Sequence, residues 1–351
     1  MSSPPRGWSC PTPTEGDGER ITLAHGEGGR LTWKLIHEQI LPLLGNELLV
    51  PLGDAAQLPV VSGPTAFTVD SFVVSPLFFP GGDIGTLAVF GTVNDLAVAG
   101  ARPLWLGVSL IIEDGLPLAV LQRVLQSIGG AARRVGVQVV AGDTKVVPRG
   151  AADGLFVTTA GIGEIVPPVA SGPASLQPGD ELIVSGPIGR HGIAILAARE
   201  NLGFEPSPIS DCAPVFDAVE ALRRAAVPVR CLRDATRGGV TAVLHEWAQA
   251  SERTLTVTEA SVPVSAEVRG VCELLGLDPL HLANEGTMLI ATPAEFVEAA
   301  VAVLRTLPET IQATRIGAVR QRGFAPVTIT RLLGAEQPLE EPLGAPFPRI
   351  C

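Results

Sequence analysis

The chain has 351 residues, with 25 Lys and Arg against 36 Asp and Glu, so its formal net charge is −11 and nucleic acid or anionic lipid is a poor partner. Hydrophobic residues make up 46 % of it, enough for about two domains with sizeable cores, while 4 % aromatic residues and no Tyr argue against an aromatic-lined nucleic-acid binder or a β-sandwich lectin. No apolar run reaches the ~18–20 residues of a membrane helix, and the first twenty residues lack the apolar segment of a signal peptide, so the expected address is the cytoplasm.

Along the chain, a short strand over Ile21–Ala24 runs into the glycine loop His25-Gly26-Glu27-Gly28-Gly29. Leu31 and Leu35, at i and i+4, open a helix that reaches Leu41 and stops at Pro42. Alternation over Thr65–Val74 gives a strand bearing Asp70, and Ile84–Ala99 is an apolar helix carrying Asn94 and Asp95. Pro103–Ile112 reads as a strand and Leu118–Val135 as an amphipathic helix. Val137–Ala141 is a buried strand that ends at Gly142-Asp143-Thr144-Lys145, and Leu155–Glu164 is another strand. Residues 167–178, rich in Pro, Ser and Gly, read as a linker.

Beyond the linker the pattern restarts. Strands are expected at Glu181–Ser185, Thr287–Ala291, Thr314–Val319 and Val327–Thr330. Helices are expected at His191–Asn201, Pro214–Ala225, Gly238–Ala250, Val264–Leu275 and Pro293–Leu304. Because strands come in pairs in the first half, two α+β units fit better than one doubly wound sheet. The expected division is an N-terminal extension (1–20), a first domain (21–166), the linker, a second domain (179–333) and a tail (334–351).

Five cysteines, Cys10, Cys212, Cys231, Cys272 and Cys351, are odd in number and form no C-x-x-C, which supports neither a zinc knuckle nor a redox pair. Cys351 differs because it is the last residue, behind Pro338, Pro342, Pro346 and Pro348. Such spacing favours extended polyproline II, and from Pro338 the tail would reach about 40 Å at ~3.1 Å per residue. Arg349 beside the thiol favours the thiolate, the nucleophilic form. The tail reads as an arm that carries a group into a nucleotide site.

Asp54, Asp70, Asp95, Asp143 and Asp234 each stand near a strand or loop end. Carboxylates in such places suit Mg²⁺ bridging nucleotide phosphates, since this hard cation prefers oxygen and keeps few protein ligands. Turn-forming or helix-capping Asp is the plain alternative for each. The loop over residues 25–29 and the turn Arg237-Gly238-Gly239 both precede helices, where backbone amides can meet an anion; neither fits a P-loop or Rossmann fingerprint. Lys34 and Lys145 are the only two lysines, so 25 − 2 leaves 23 arginines. An ammonium retained at Lys145 suits phosphate binding or proton transfer, because lysine can shed its proton and arginine practically cannot. Glu285, in Ala283-Asn284-Glu285-Gly286, suits a general base or a metal ligand. His191 opens a helix and reads as a capping or packing residue.

Taken together these segments resemble a known family. His-Gly-Glu-Gly-Gly (25–29), Val-Asp-Ser-Phe-Val-Val (69–74), Val-Asn-Asp-Leu-Ala (93–97), Gly-Asp-Thr-Lys-Val (142–146), Asp-Ala-Thr-Arg-Gly-Gly (234–239), Ala-Asn-Glu-Gly (283–286) and the terminal Pro-Arg-Ile-Cys (348–351) run in order through nearly the whole chain. The set is similar to HypE, the carbamoyl dehydratases of [NiFe]-hydrogenase maturation. The Asp and glycine motifs alone are shared with aminoimidazole ribonucleotide synthetase, selenophosphate synthetase and thiamine-monophosphate kinase; the terminal Pro-Arg-Ile-Cys is the specific part. Glu27 and Arg190 depart from the family's usual residues, and residues 1–20 have no counterpart in it.

The resemblance implies an α/β (α+β), two-domain PurM-like fold. The N-terminal sheet domains would pair into a dimeric barrel, followed by a C-terminal α/β domain and an extended tail. It implies that a HypF-type carbamoyltransferase loads Cys351, that ATP with Mg²⁺ drives dehydration to a thiocyanate, and that the cyanide passes to iron held by a HypC–HypD complex. It further implies Lys145 and Glu285 as the groups that orient or deprotonate the thiocarboxamide. His25, Gly26, Gly28, Gly29, Asp70, Asp95, Asp143, Asp234, Gly238 and Gly239 would contact nucleotide, and Asp54, Asp70, Asp95, Asp143 and Asp234 would share the metal. A selenophosphate synthetase-like enzyme and a non-catalytic thiol carrier are the alternatives.

Overall fold

Two mixed sheets organise residues 19–341, the part of the chain described by the computed structural model. The expected extension, with Cys10, and the terminal Cys351 lie outside the described residues but for the extension's last two positions.

The first sheet has four strands in the order β1-β6-β4-β5: β1 (Thr65–Phe72), β4 (Ala101–Glu113), β5 (Gln138–Val147) and β6 (Leu155–Ile165). A two-residue hairpin of β2 (Phe78–Phe79) and β3 (Gly82–Asp83) precedes its main helix. Along β6 buried and half-buried residues alternate, the period-2 pattern of a sheet covered on one face. The covered face meets a helix over Ile84–Val98 and another over Leu118–Val135. The first of these starts at Asp83, whose carboxylate accepts the amides of Gly85 (2.7 Å) and Thr86 (3.1 Å), satisfying donors that the helix start leaves free. It is apolar on all sides and buried, because the second domain packs on the side that the sheet does not cover. On the opposite face of the sheet, Phe67 and Val69 of β1 stand 68 % and 56 % exposed.

The second sheet has seven strands in the order β13-β12-β9-β11-β7-β10-β8. They are β7 (Asp180–Val184), β8 (Cys231–Asp234), β9 (Thr254–Thr258), β10 (Met288–Pro293), β11 (Thr314–Arg320), β12 (Val327–Thr330) and β13 (Glu336–Pro338). Helices over Gly239–Ser251 and Val297–Leu304 flank it with separate apolar cores, the first around Trp247 and Leu244, the second around Leu304 and Ile290.

Four expectations change. Ile21–Ala24 is no strand: a single bridge at Arg20 leads into a turn over Leu23–Gly26, in which His25 Nδ1 lies 3.0 Å from both the amide and the hydroxyl of Thr22. The following helix does not stop at Pro42 but continues to Leu44, because Leu35–Ile40 form a π turn. There the Leu41 amide reaches the carbonyl of Ile36, five residues back, and the widened turn relieves the clash a proline ring makes in an α-helix. Gly142–Lys145 belong to β5 itself, paired in parallel with Val108–Ile111 of β4, and are not a loop beyond the strand. The tail departs later than Gly334, since β13 pairs with β12 and the buried Leu339 is held by His245 Nε2 at 2.9 Å from its carbonyl oxygen.

Candidate active site

The sequence motifs collect at two places. At the first, β1, the 84–98 helix, β8 and the 283–286 loop bring Asp70, Asp95, Asp234 and Glu285 together at the junction of the domains. Thr68 Oγ1 donates to Asp95 Oδ2 at 2.8 Å, and the Ser71 amide donates to Asp70 Oδ1 at 2.8 Å. Burial raises Asp70, and the neighbouring Asp95 adds to the rise while Arg237 opposes it. Burial also pushes Asp234 up to about 6, helped by Asp95 and Asp70. Glu285 is buried as well, and burial raises it, with Asp234, Asp211, Asp70 and Asp95 adding to the rise. Carboxyls raised by burial beside other carboxylates mark functional sites.

The Glu285 loop is tied down on both sides. Asn284 Oδ1 accepts the Gly189 amide at 2.7 Å, and its Nδ2 donates to the Ala235 carbonyl at 2.8 Å. Asp211 Oδ1 and Oδ2 accept the amides of Glu285 and Gly286, each at 3.1 Å. Gly239 is needed here for packing, since a Cβ would lie 2.4 Å from the Leu280 carbonyl oxygen; Gly238 supplies a left-handed φ of 77°. Sequence reading named Arg237 only as part of the glycine turn and gave its side chain no role beside Asp70, and it passed over Asp211, whose Ser-Asp-Cys context carries no signal.

The second place is β5 with the glycine loop. Lys145 Nζ stands 3.1 Å from Asp143 Oδ2, both side chains exposed, and the ammonium holds the Asp143 carboxyl below its ordinary range. Gly26 packs so closely on β5 that a Cβ would lie 2.7 Å from the Val146 nitrogen, whereas a Cβ on Gly29 would meet nothing within 4 Å. Gly28 has a left-handed φ of 79°, and Glu27 is exposed. A cavity of about 140 Å³ opens beside Gly142–Thr144, under Ile36 and Ile40.

Lys145 pairs with Ile111, which pairs with Phe156 in turn, so it shares the open face of the sheet with Phe67 and Val69. Asp70 points to the helix-covered face, and β1 and β5 are opposite edges of the sheet. Three strand spacings separate them, about 14 Å. Within one chain Lys145 and Asp70 therefore stand on opposite faces and opposite edges of the first sheet. Asp54 is exposed on a bend before β1 and makes no hydrogen bond or ion pair with any described residue.

No three His, Cys, Asp or Glu side chains among the described residues converge closely enough to hold a metal ion alone. The hard oxygens of Asp70, Asp95 and Asp234 nonetheless fit Mg²⁺, which takes one or two carboxylates and completes its shell with phosphates and water. His191 is fully buried, with its Nδ1 2.9 Å from Ser210 Oγ and its ring edge-on to Phe79. It is a packing residue.

Comparison with known proteins gives the family. The N-terminal domain of AIR synthase related proteins matches residues 53–165, and their C-terminal domain matches residues 177–328. The carbamoyl dehydratase HypE of Escherichia coli is 45 % identical over 337 residues, covering 94 % of this chain and 99 % of its own. The chain belongs to the HypE carbamoyl dehydratase family. A crystal structure of the hydrogenase maturation protein HypE in complex with ATP superposes with a TM-score of 0.90 at 45 % identity, covering 94 % of this chain and 99 % of that one. HypE in a HypE–HypF complex aligns with a TM-score of 0.76 at 39 % identity, covering 88 % and 99 %. As in those HypE structures, the fold is two PurM-like domains of mixed α/β architecture.

Proposed function

We propose that this chain dehydrates an S-carbamoyl group on its own Cys351, with ATP, to the thiocyanate that supplies cyanide to a [NiFe]-hydrogenase iron centre. The end-to-end likeness to carbamoyl dehydratases, in a chain that ends in Pro-Arg-Ile-Cys351, carries this reading. The carbamoyl oxygen attacks the γ-phosphorus of ATP and releases ADP. The nitrogen then loses its two protons as the C–O bond breaks, leaving phosphate and an S–C≡N group. Phosphorylation turns a poor leaving oxygen into a good one, and such transfer depends mainly on positioning and charge stabilisation.

Glu285, buried among carboxylates, is suited to hold and exchange a proton of the substrate nitrogen. Asp70, Asp95 and Asp234 would hold Mg²⁺ against the phosphates, supplying positive charge to the transferring group. Asp143 and the loop from His25 to Gly29 would hold the nucleotide, with Asp54, Gly238 and Gly239 as further contacts, and Lys145 would orient or deprotonate the thiocarboxamide with Glu285. A HypF-type carbamoyltransferase is the proposed donor, as the HypE–HypF complex of a relative supports. A HypC–HypD complex is the proposed acceptor, and the cytoplasm the proposed compartment; no helix of the described residues is long and apolar enough to cross a membrane.

The open face with Phe67 and Val69 is the proposed dimer contact, where two four-stranded sheets would close into a barrel. Pairing would carry Lys145 of one chain to the Glu285 side of its partner. Lys145→Ala and Glu285→Gln should each slow dehydration of carbamoylated Cys351 by about 100-fold or more. Mixed and allowed to re-pair, the two variants should recover about a quarter of wild-type activity, since half the dimers are mixed and one of their two sites is intact. A mixture no faster than its components would place both residues at work within one chain; wild-type rates for either variant would remove its proposed role.

A further inference from the structure

Asp211 is a buried carboxylate to which the chemistry above gives no part. It lies on residues 209–215, a strap that runs between the two domains. The Ser210 amide donates to the Pro80 carbonyl of the first domain at 2.9 Å, and Ser210 Oγ lies 2.9 Å from His191 Nδ1 of the second. Asn94, one residue before Asp95 on the 84–98 helix, grips the strap twice. Its Nδ2 donates to the Ala213 carbonyl at 3.1 Å, and its Oδ1 accepts the Val215 amide at 2.8 Å.

The strap in turn holds the peptide of Glu285 at both ends. Asp211 takes the amides of Glu285 and Gly286, one with each carboxylate oxygen. The Glu285 carbonyl receives the Ala213 amide at 3.3 Å and Asn94 Nδ2 at 3.4 Å. The two loops press together so closely that a Cβ on Gly286 would lie 1.9 Å from the Asp211 carbonyl oxygen. A carboxylate that accepts two adjacent amides fixes the orientation of that backbone more firmly than one neutral bond would.

We infer that Asp211 is a positioning residue for the dehydration: its carboxylate orients the backbone of Glu285, and the strap and Asn94 set where Glu285 stands relative to Asp95. The inference rests on reading Glu285 as the proton-handling group. A reacting group displaced by about 1 Å can lose on the order of 100-fold in rate, so the effect belongs in the chemical step and not in ATP binding.

Asp211→Asn keeps the shape but offers one acceptor to two amides, while Asp211→Ala offers none. With the full-length chain carbamoylated on Cys351, single-turnover dehydration should slow about 10- to 100-fold in Asp211→Asn and further in Asp211→Ala. The ATP Kd and the melting temperature of Asp211→Asn should stay near wild type. In a Glu285→Gln background, Asp211→Asn should cost nothing more, because residues that act through one another are not additive. A wild-type rate for Asp211→Asn beside a slow Glu285→Gln overturns the inference alone, as does a full additional loss in the double variant. A wild-type rate for Glu285→Gln overturns the reading of Glu285 and this inference with it. If Asp211→Asn weakens ATP binding and melting as much as it slows the reaction, Asp211 is a general structural residue and the positioning role falls.

Discussion

Asp234 shows what burial beside other carboxylates costs a single residue here. Burial, with Asp95 and Asp70 nearby, lifts its carboxyl from an ordinary 3.8 to about 6. Below about pH 4 both folded and unfolded chains hold this proton, and the site costs nothing. Between about pH 4 and 6 the unfolded chain releases the proton that the folded chain keeps, so stability falls as pH rises; above 6 the full cost, at most about 3 kcal/mol, is present. Asp234→Asn should therefore raise the melting temperature at pH 7.5 and leave it nearly unchanged at pH 4, read by thermal unfolding at the two values. Equal shifts at both would mean that burial does not lift this carboxyl. Five aspartates were legible in the sequence as candidates, but their environments were not. Asp70 and Asp234 titrate upward in the junction, whereas Asp143, paired with Lys145 on an exposed strand, is pulled downward. The rise at Asp234 comes from burial and from Asp95 and Asp70, more than a hundred residues away in sequence, which no local pattern records. Asp143 instead owes its shift to Lys145, two residues along the same strand.

The elements divide in the same way between what periodicity determines and what packing decides. The helix over Leu118–Val135 is amphipathic and ends on Gly136 with a left-handed φ of 73°, so its limits are written in its own residues. The helix through Pro42 and the strand through Gly142–Lys145 are not, because a π turn and a parallel partner strand override the local signals. Cys231–Asp234 and Thr254–Thr258 are strands that sequence reading missed. In the glycine loop the three glycines do separate work. Gly26→Ala should destabilise by about 1–3 kcal/mol, since the methyl would have to displace β5. Gly29→Ala has open space and should leave the melting temperature unchanged while weakening ATP binding, as measured by calorimetric titration. If Gly29→Ala binds ATP as tightly as wild type, the loop does not approach the nucleotide at that position.

At the scale of the whole molecule, the order of the motifs in sequence was enough to name the family and the two-domain fold, and their arrangement in space was not. Two groups of motif residues stand on opposite faces and edges of one sheet, and the open face between them carries exposed apolar side chains. The described residues end just past Leu339, which His245 anchors. The central claim is that Cys351 carries the group that is dehydrated, and intact-protein mass spectrometry with peptide mapping tests it most directly. Incubated with carbamoyl phosphate, a HypF-type carbamoyltransferase, ATP and Mg²⁺, the chain should gain a carbamoyl group on Cys351 and then lose the mass of one water only when ATP is present. A carbamoyl adduct that never loses water, or no adduct on Cys351 at all, would contradict it.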